Sequence, residues 1–335
     1  MEEYVELESL KKKIISYFFK LRLYIGILFA APYLLFGFLV EFALLNWEFE
    51  VINNSLLRLI FAFIISIFLL PFIWMTNDYF DAPYDSLDPE KRNRNVFCSS
   101  KLTNNPYSGY LILFLPFGIS LVFSFLLGLE IFFLTIFIAL IGFFYSAPPI
   151  RFKEMPVLDL ITHGIYVGGY FFLLGGAVLT PLSSLLTQHP PLFLVFFLLA
   201  VLDMSGIQYN SQLIDIEVDS KSKQRTTSLW VGKRYSILIL RGLVGLILAC
   251  LPLYLFLIFN SSIYDFSLLH IIPDIFVKLI FVLSLGGIVL YFWGTRGGFK
   301  NIEEIQRRSE WLRHRFIYPF ALIGILLINT PFLWE

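Results

Sequence analysis

Charge is what this chain has little of. Asp, Glu, Lys and Arg make up only 15% of its 335 residues, against 58% hydrophobic residues that include 38 Phe, and the mean hydropathy is +0.76. A large soluble all-α protein would need amphipathic stripes backed by charged faces, and the long apolar blocks of this chain lack them. Cysteine is scarce as well. Cys98 and Cys250 lie too far apart to form a metal knuckle and leave the redox compartment unmarked. The leader MEEYVELESLKKK is too polar for a cleaved signal peptide. The formal net charge is zero, so there is no overall basic excess of the kind that binds nucleic acid.

What is present is a series of membrane-length runs. A bilayer core needs about 20 apolar helical residues, and nine blocks qualify, at 21–42, 57–77, 107–127, 130–148, 158–180, 190–213, 236–259, 274–294 and 316–334. The expected fold is an all-α integral membrane protein, nine transmembrane helices around a central cavity, in a single domain over 1–335 with residues 1–20 as a polar leader. Lys and Arg occupy the leader (Lys11, Lys12, Lys13, Lys20, Arg22) and every second loop. The intervening loops hold Glu41, Glu48, Glu50, Glu130, Asp265 and Asp274. Of the 25 Lys and Arg, only Arg58 and Lys278 fall on the other side. Basic loops mark the cytoplasmic face, so the N-terminus is expected inside.

Against this background two polar clusters stand out, both on the cytoplasmic side. The first, NDYFDAPYD, ends the second block after LIFAFIISIFLLPFIWMT. On a helix Asn77, Asp81 and Asp85 share a stripe at i, i+4 and i+8, with Asp78 beside Asp81, although Pro83 disfavours helix at Ala82 and a kink is expected there. Carboxylates at a helix C-terminus oppose the macrodipole, which points to a purpose beyond ending a helix. The second cluster, DIEVD, puts Asp215 and Asp219 one turn apart after the sixth block. Five carboxylates in one cavity would repel unless cations joined them, and all-oxygen ligands without His or Cys suit Mg²⁺ rather than zinc. Basic residues follow each cluster: Lys91, Arg92 and Arg94; Arg151 and Lys153 in YSAPPIRFKEMP; Lys221, Lys223 and Arg225. Together they read as a diphosphate clamp at the membrane surface.

These stretches resemble the UbiA superfamily of intramembrane prenyltransferases. NDYFDAPYD matches its NDxxDxxxD pattern, DIEVD its second DxxxD element, and YSAPPIRFKEMPVLD its YSxPPxRxK segment. With DPEKRNR and DIEVDSKSKQRTTSLWVGK they are most similar to the lycopene elongase branch, though Lys223-Gln224 stands where many members have Ala-Gly. The resemblance implies Mg²⁺ held by Asn77, Asp78, Asp81, Asp85, Asp215 and Asp219. It also implies a polyprenyl diphosphate donor contacted by Arg22, Asn77, Lys91, Arg92, Tyr145, Arg151 and Lys153. The catalytic set would be Asp78, Asp81, Asp215, Asp219 and Lys153. A lipophilic acceptor such as a carotenoid would meet the allylic cation in an apolar cavity; an aromatic or glycerol-phosphate lipid acceptor is the alternative. Membrane lipids are the remaining expected partners, no nucleic acid is expected, and the setting implied is a prokaryotic cell membrane.

Asp203, about 18 Å of helix before Asp215, reads either as the acceptor of the proton lost in the reaction or as a structural acid bonded to Ser205 or Gln208. Asp159 and His163, at i and i+4, read as a structural pair. A transporter would place its ionisable groups near the bilayer midplane rather than at one interface. A lipid phosphatase or phosphotransferase would share the metal clamp without an acceptor cavity. Cysteines introduced at positions 90 and 222 should react with an impermeant thiol reagent from the same side of sealed vesicles; labelling from opposite sides would overturn the topology.

Overall fold

The computed structural model describes residues 16, 18–45, 49–87, 89–98, 106–188, 190–221 and 225–260. Among these residues every regular element is a helix. Six are long and apolar enough to cross a membrane: Leu23–Phe42, Ser55–Asp85, Tyr107–Leu127, Leu129–Ser146, Leu158–Gly176 and Phe193–Ile214, here called the first to sixth spans. A seventh apolar stretch, Tyr235–Cys250, lies within the helix Lys233–Asn260. All seven fall on the first seven expected blocks. The blocks at 274–294 and 316–334, the leader lysines Lys11 to Lys13, Lys223 and Asp265 lie outside the described residues.

Inside hydrocarbon no water is present to bond backbone polar groups, so a helix must satisfy its own. The side-chain hydroxyls in the spans follow the same rule. Ser66, Thr76, Ser120, Thr135 and Ser205 each donate to the carbonyl four residues earlier.

The helix of the second span runs from Phe49 to Asp85 with Pro71 and Pro83 inside it, so the acidic motif forms its last turns, as the helical stripe of Asn77, Asp81 and Asp85 requires. Pro83 has no amide for the Tyr79 carbonyl. The chain closes the following turn with Ser86 N to Ala82 O (3.0 Å) and Ser86 Oγ to Pro83 O (2.8 Å).

The chain divides into two compact units, one comprising Met1–Leu34 and Leu57–Phe152, the other Leu35–Leu56 and Lys153–Glu335. In the first unit the first span takes a π turn at Gly26–Ala30. A Cβ on Gly26 would lie 2.5 Å from Ser66 O of the second span. Phe72 of the second span stacks on Phe117 of the third with ring centroids 4.9 Å apart.

In the second unit the fifth span is also interrupted by a π turn, Gly164–Gly169. The fifth and sixth spans approach so closely that a Cβ on Gly168 would lie 2.1 Å from Ala200 O. A Cβ on Gly37 would lie 1.9 Å from Phe172 O. Lipid tails are as apolar as Leu, so membrane helices gain by bringing backbones together through small residues.

Gly37→Ala and Gly168→Ala should therefore each destabilise by about 1–3 kcal/mol through overpacking. Gly118, with nothing within 4 Å of its would-be Cβ, should become more stable as Ala by roughly 0.5–1 kcal/mol. Thermal unfolding of the three variants in one detergent checks this, and equal melting of Gly168→Ala and wild type would contradict the close packing.

Candidate active site

The first acidic motif occupies one end of the second span in the first unit. Asn77, Asp78, Asp81 and Asp85 follow one another at helical spacing, and each is engaged by a different part of the chain. Asp78 is only 5% exposed. Its two oxygens accept from one guanidinium, Arg22 Nε to Oδ2 at 2.9 Å and Nη2 to Oδ1 at 3.0 Å. Such a fork is the strongest pairing a carboxylate can make with a side chain. Arg151 Nη2 lies 3.7 Å from Asp81 Oδ1, an ion-pair distance too long for a hydrogen bond. Ser146 Oγ donates to Asn77 Oδ1 at 2.9 Å.

Asn95 ties the motif together. Buried at the end of the short helix Pro89–Arg94, it donates through Nδ2 to the Asp78 carbonyl at 2.7 Å and to Asp85 Oδ2 at 2.9 Å. Its Oδ1 accepts from Phe97 N at 2.9 Å. This amide folds the DPEKRNR segment back onto the second span, where Lys91, Arg92 and Arg94 are exposed. Tyr79 packs edge-on against Phe97, ring centroids 5.4 Å apart, which fastens the same turn from its apolar side. Burial, then the charges of Asp85 and Asp78, push the Cys98 thiol above its usual range. That disfavours the thiolate a nucleophile would need.

Backbone strain collects in these segments. Arg22 (φ 59°), Arg151 (φ 48°) and Val157 (φ 73°) are the non-glycine residues with positive φ among the described residues. Two of the three are the arginines that face the motif's carboxylates.

The second motif belongs to the second unit. Asp215 is exposed at the break between the helices Pro190–Ile214 and Ile216–Lys221. Asp219 is buried one turn on, its amide bonded to the Asp215 carbonyl at 2.8 Å. Lys153 sits half-buried in the turn Phe152–Glu154.

Among the described residues no three His, Cys, Asp or Glu side chains gather as a metal cage. The donors nevertheless fit a hard cation in kind. They are carboxylate and amide oxygens only, on one helix end and on one helical turn.

Several expected residues have partners that the sequence did not suggest. Arg22, which the resemblance places at the donor's diphosphate, also bonds Asp78. Asp159, expected to pair with His163, is bonded to Gln212 and Thr227 instead. Ser205 is not the donor to Asp203, because its hydroxyl is directed at the carbonyls of Leu160 and Val201; Asp203 itself is buried. Tyr145, read as a donor contact, is buried at the end of the fourth span. Asn95, Ser146, Gln212 and Thr227 were not singled out by the sequence. Ser146 and Thr227 lie inside quoted motifs and Asn95 directly follows one, but nothing in residue type marked their role.

Comparison with known proteins adds the following. The UbiA prenyltransferase family model matches residues 49–284. A lycopene elongase/hydratase of Haloferax volcanii is 30% identical over 178 residues, 50% of this chain and 52% of that protein. One of Halobacterium salinarum is 38% identical over 90 residues, 26% of this chain and 28% of that protein. The chain thus spans about half or less of the length of these relatives. Among solved structures, a UbiA homologue from Archaeoglobus fulgidus bound to DMAPP and Mg²⁺ superposes with a TM-score of 0.53 at 19% identity, covering 90% of this chain and 95% of that one. A digeranylgeranylglyceryl phosphate synthase gives a TM-score of 0.60 at 18% identity, with 94% and 98% coverage. At these identities the structures share the fold.

Removing Arg22 alone should leave Asp78 buried without a cation, at a cost of about 3 kcal/mol. Arg22→Met should melt well below wild type, while Arg22→Met combined with Asp78→Leu should recover most of the loss. If the double variant melts as low as the single one, the ion pair is not what Arg22 contributes.

Proposed function

The chain belongs to the UbiA prenyltransferase family and is a membrane prenyltransferase, and from that premise we propose that it transfers a prenyl group from an allylic diphosphate to a carotenoid such as lycopene, with Mg²⁺ as cofactor. The observation that carries the donor half of this reading is the set of oxygen ligands Asn77, Asp78, Asp81 and Asp85 at the end of the second span, flanked by the guanidiniums of Arg22 and Arg151. Asp215 and Asp219 serve the same reaction, on the cytoplasmic side of a prokaryotic cell membrane. Related folds bind dimethylallyl and geranyl diphosphates together with Mg²⁺, according to the complexes solved for the Archaeoglobus homologue, which supports the same donor class here.

In chemical terms the allylic C–O bond breaks and the diphosphate leaves with the electron pair. Mg²⁺, when bound, would stabilise the charge that develops on that leaving group. The chain's own part is to orient and to compensate. Asn95 and Ser146 fix the directions of Asp85 and Asn77, and Lys91, Arg92, Arg151 and Lys153 offer cations to the diphosphate. The allylic cation is sheltered from water by the apolar spans, whose Phe and Tyr faces can stabilise it directly. A terminal alkene of the acceptor then attacks, leaving a tertiary cation that loses a proton or captures water. The acceptor half rests on the elongase/hydratase relatives.

Purified chain given lycopene, dimethylallyl diphosphate and Mg²⁺ should yield prenylated or hydroxylated prenyl carotenoid by mass spectrometry. EDTA should stop the reaction, and Asp81→Ala or Asp215→Ala should abolish it while leaving the protein folded. Consumption of the donor only with 4-hydroxybenzoate, a naphthoate, haem or a glycerol-phosphate lipid would eliminate the carotenoid acceptor and leave the diphosphate assignment standing.

A further inference from the structure

A fully bonded carboxylate lies outside both acidic motifs. Asp159, at the start of the fifth span, has no exposed surface. Its Oδ1 accepts from Leu160 N at 2.8 Å and from the Thr227 hydroxyl; its Oδ2 accepts from Gln212 Nε2 at 2.8 Å and from Thr227 N at 2.9 Å. Four donors fill the four lone-pair sites of a carboxylate. The donors come from two places besides its own helix. Gln212 stands three residues before Asp215, and Thr227 follows the second motif.

Those two places are also bonded to each other. Gln212 Oε1 accepts from Ser228 N at 3.3 Å, and Gln212 O accepts from Ser228 Oγ at 3.1 Å. Ser236 Oγ in turn donates to Ser228 O at 3.1 Å. Thr227 reaches a third segment, because its Oγ1 accepts from Val157 N at 2.7 Å. Val157 is β-branched and sits at φ 73°, a conformation that costs energy and persists only when neighbours enforce it. The turn that leads from Lys153 into the fifth span is therefore held by the same knot.

We propose that Asp159 is a positioning residue for the second acidic motif: its buried carboxylate fastens both ends of the segment that carries Asp215 and Asp219, and locks the Lys153 loop to it through Thr227. The functional part of this proposal rests on the reading of Asp215 and Asp219 as diphosphate-site ligands. A segment tied at both ends has less entropy left to lose when its carboxylates must come to a fixed geometry. An amide cannot replace the acid here. Whichever way the side chain of an Asp159→Asn variant were turned, its NH₂ would face a backbone N–H, of Leu160 or of Thr227, that can only donate.

The test uses the full chain in detergent with Asp159→Asn, Thr227→Val and Thr227→Ser. Three measurements are made on each: melting without metal, hydrogen–deuterium exchange, and Mg²⁺-dependent binding of inorganic diphosphate by calorimetry. Thr227→Ser keeps the hydroxyl and should behave as wild type. Asp159→Asn and Thr227→Val should raise exchange across 213–226 selectively and raise the Mg²⁺ concentration for half-maximal diphosphate binding tenfold or more. Their melting should shift by only a few degrees. Exchange that rises throughout the second unit with a collapse in melting would overturn the positioning role in favour of a general core role. Raised exchange at 213–226 with unchanged Mg²⁺ dependence would overturn it as well. If the wild type binds no diphosphate with Mg²⁺, the diphosphate reading itself fails, and the exchange pattern still decides whether Asp159 pins the segment.

Discussion

A carboxylate removed from water must find a cation or hydrogen-bond donors, and the polar architecture of this chain follows from that requirement. Glu41, 2% exposed at the end of the first span, accepts from Thr180. Asp78 takes both arms of the Arg22 guanidinium. Asp159 takes four neutral donors. In each case at least one partner comes from a distant part of the sequence, so satisfying the charge also fixes which elements meet. Between the apolar faces of the spans, where one Phe or Leu surface packs on another, the close approaches at glycines are the other position-specific contacts.

The same construction occurs once in each unit. In the first, Arg22 at the start of the first span bonds to Asp78 near the end of the second, 56 residues on. In the second, Asp159 at the start of the fifth span bonds to Gln212 near the end of the sixth, 53 residues on. A π turn follows each anchor, Gly26–Ala30 in one and Gly164–Gly169 in the other. Each π turn opens on a glycine pressed against the next span, Gly26 on Ser66 and Gly164 on Ser205. Those serines both bond back to the carbonyl four residues earlier. The polarity is exchanged, since the anchor is a cation in the first unit and an anion in the second. The acidic motif is accordingly bonded directly in the first unit and through its flanks in the second.

That exchange explains what the sequence revealed and what it concealed. The first six spans were legible because a bilayer imposes a length and a composition on a helix, and residues 59–76 satisfy both without a charge. The acidic motifs were legible because carboxylates at the ends of such helices are costly without a purpose. The helical stripe from Asn77 to Asp85 was legible too, and the helix carries through Pro83 with Ser86 closing the next turn. Asn95, Gln212 and Thr227 were not legible. Their role lies in bonds across 10 to 68 residues, and residue type alone does not record a partner. For the same reason Asp159 was matched with His163, its neighbour one helical turn away, when its partners come from further along the chain.

Strain and rigidity are divided between two parts of the chain. The spans are helices, two of them with a π turn, brought into backbone contact through glycines, an arrangement that resists deformation because a shift meets a carbonyl. The positive-φ residues Arg22, Arg151 and Val157 lie at the polar ends, in segments that bear or adjoin the acidic and basic motifs. Such conformations cost on the order of 1–3 kcal/mol each, and hydrogen bonds to fixed partners are what hold them: Arg22 to Asp78, and Val157 to Thr227. Had the ends been built from relaxed turns, the guanidinium of Arg22 and the loop of Lys153 would each have had other low-energy orientations to explore. Strain held against a rigid frame leaves one. Within each unit, a frame that admits one orientation of a polar side chain matters more than the few kilocalories per mole stored in the backbone.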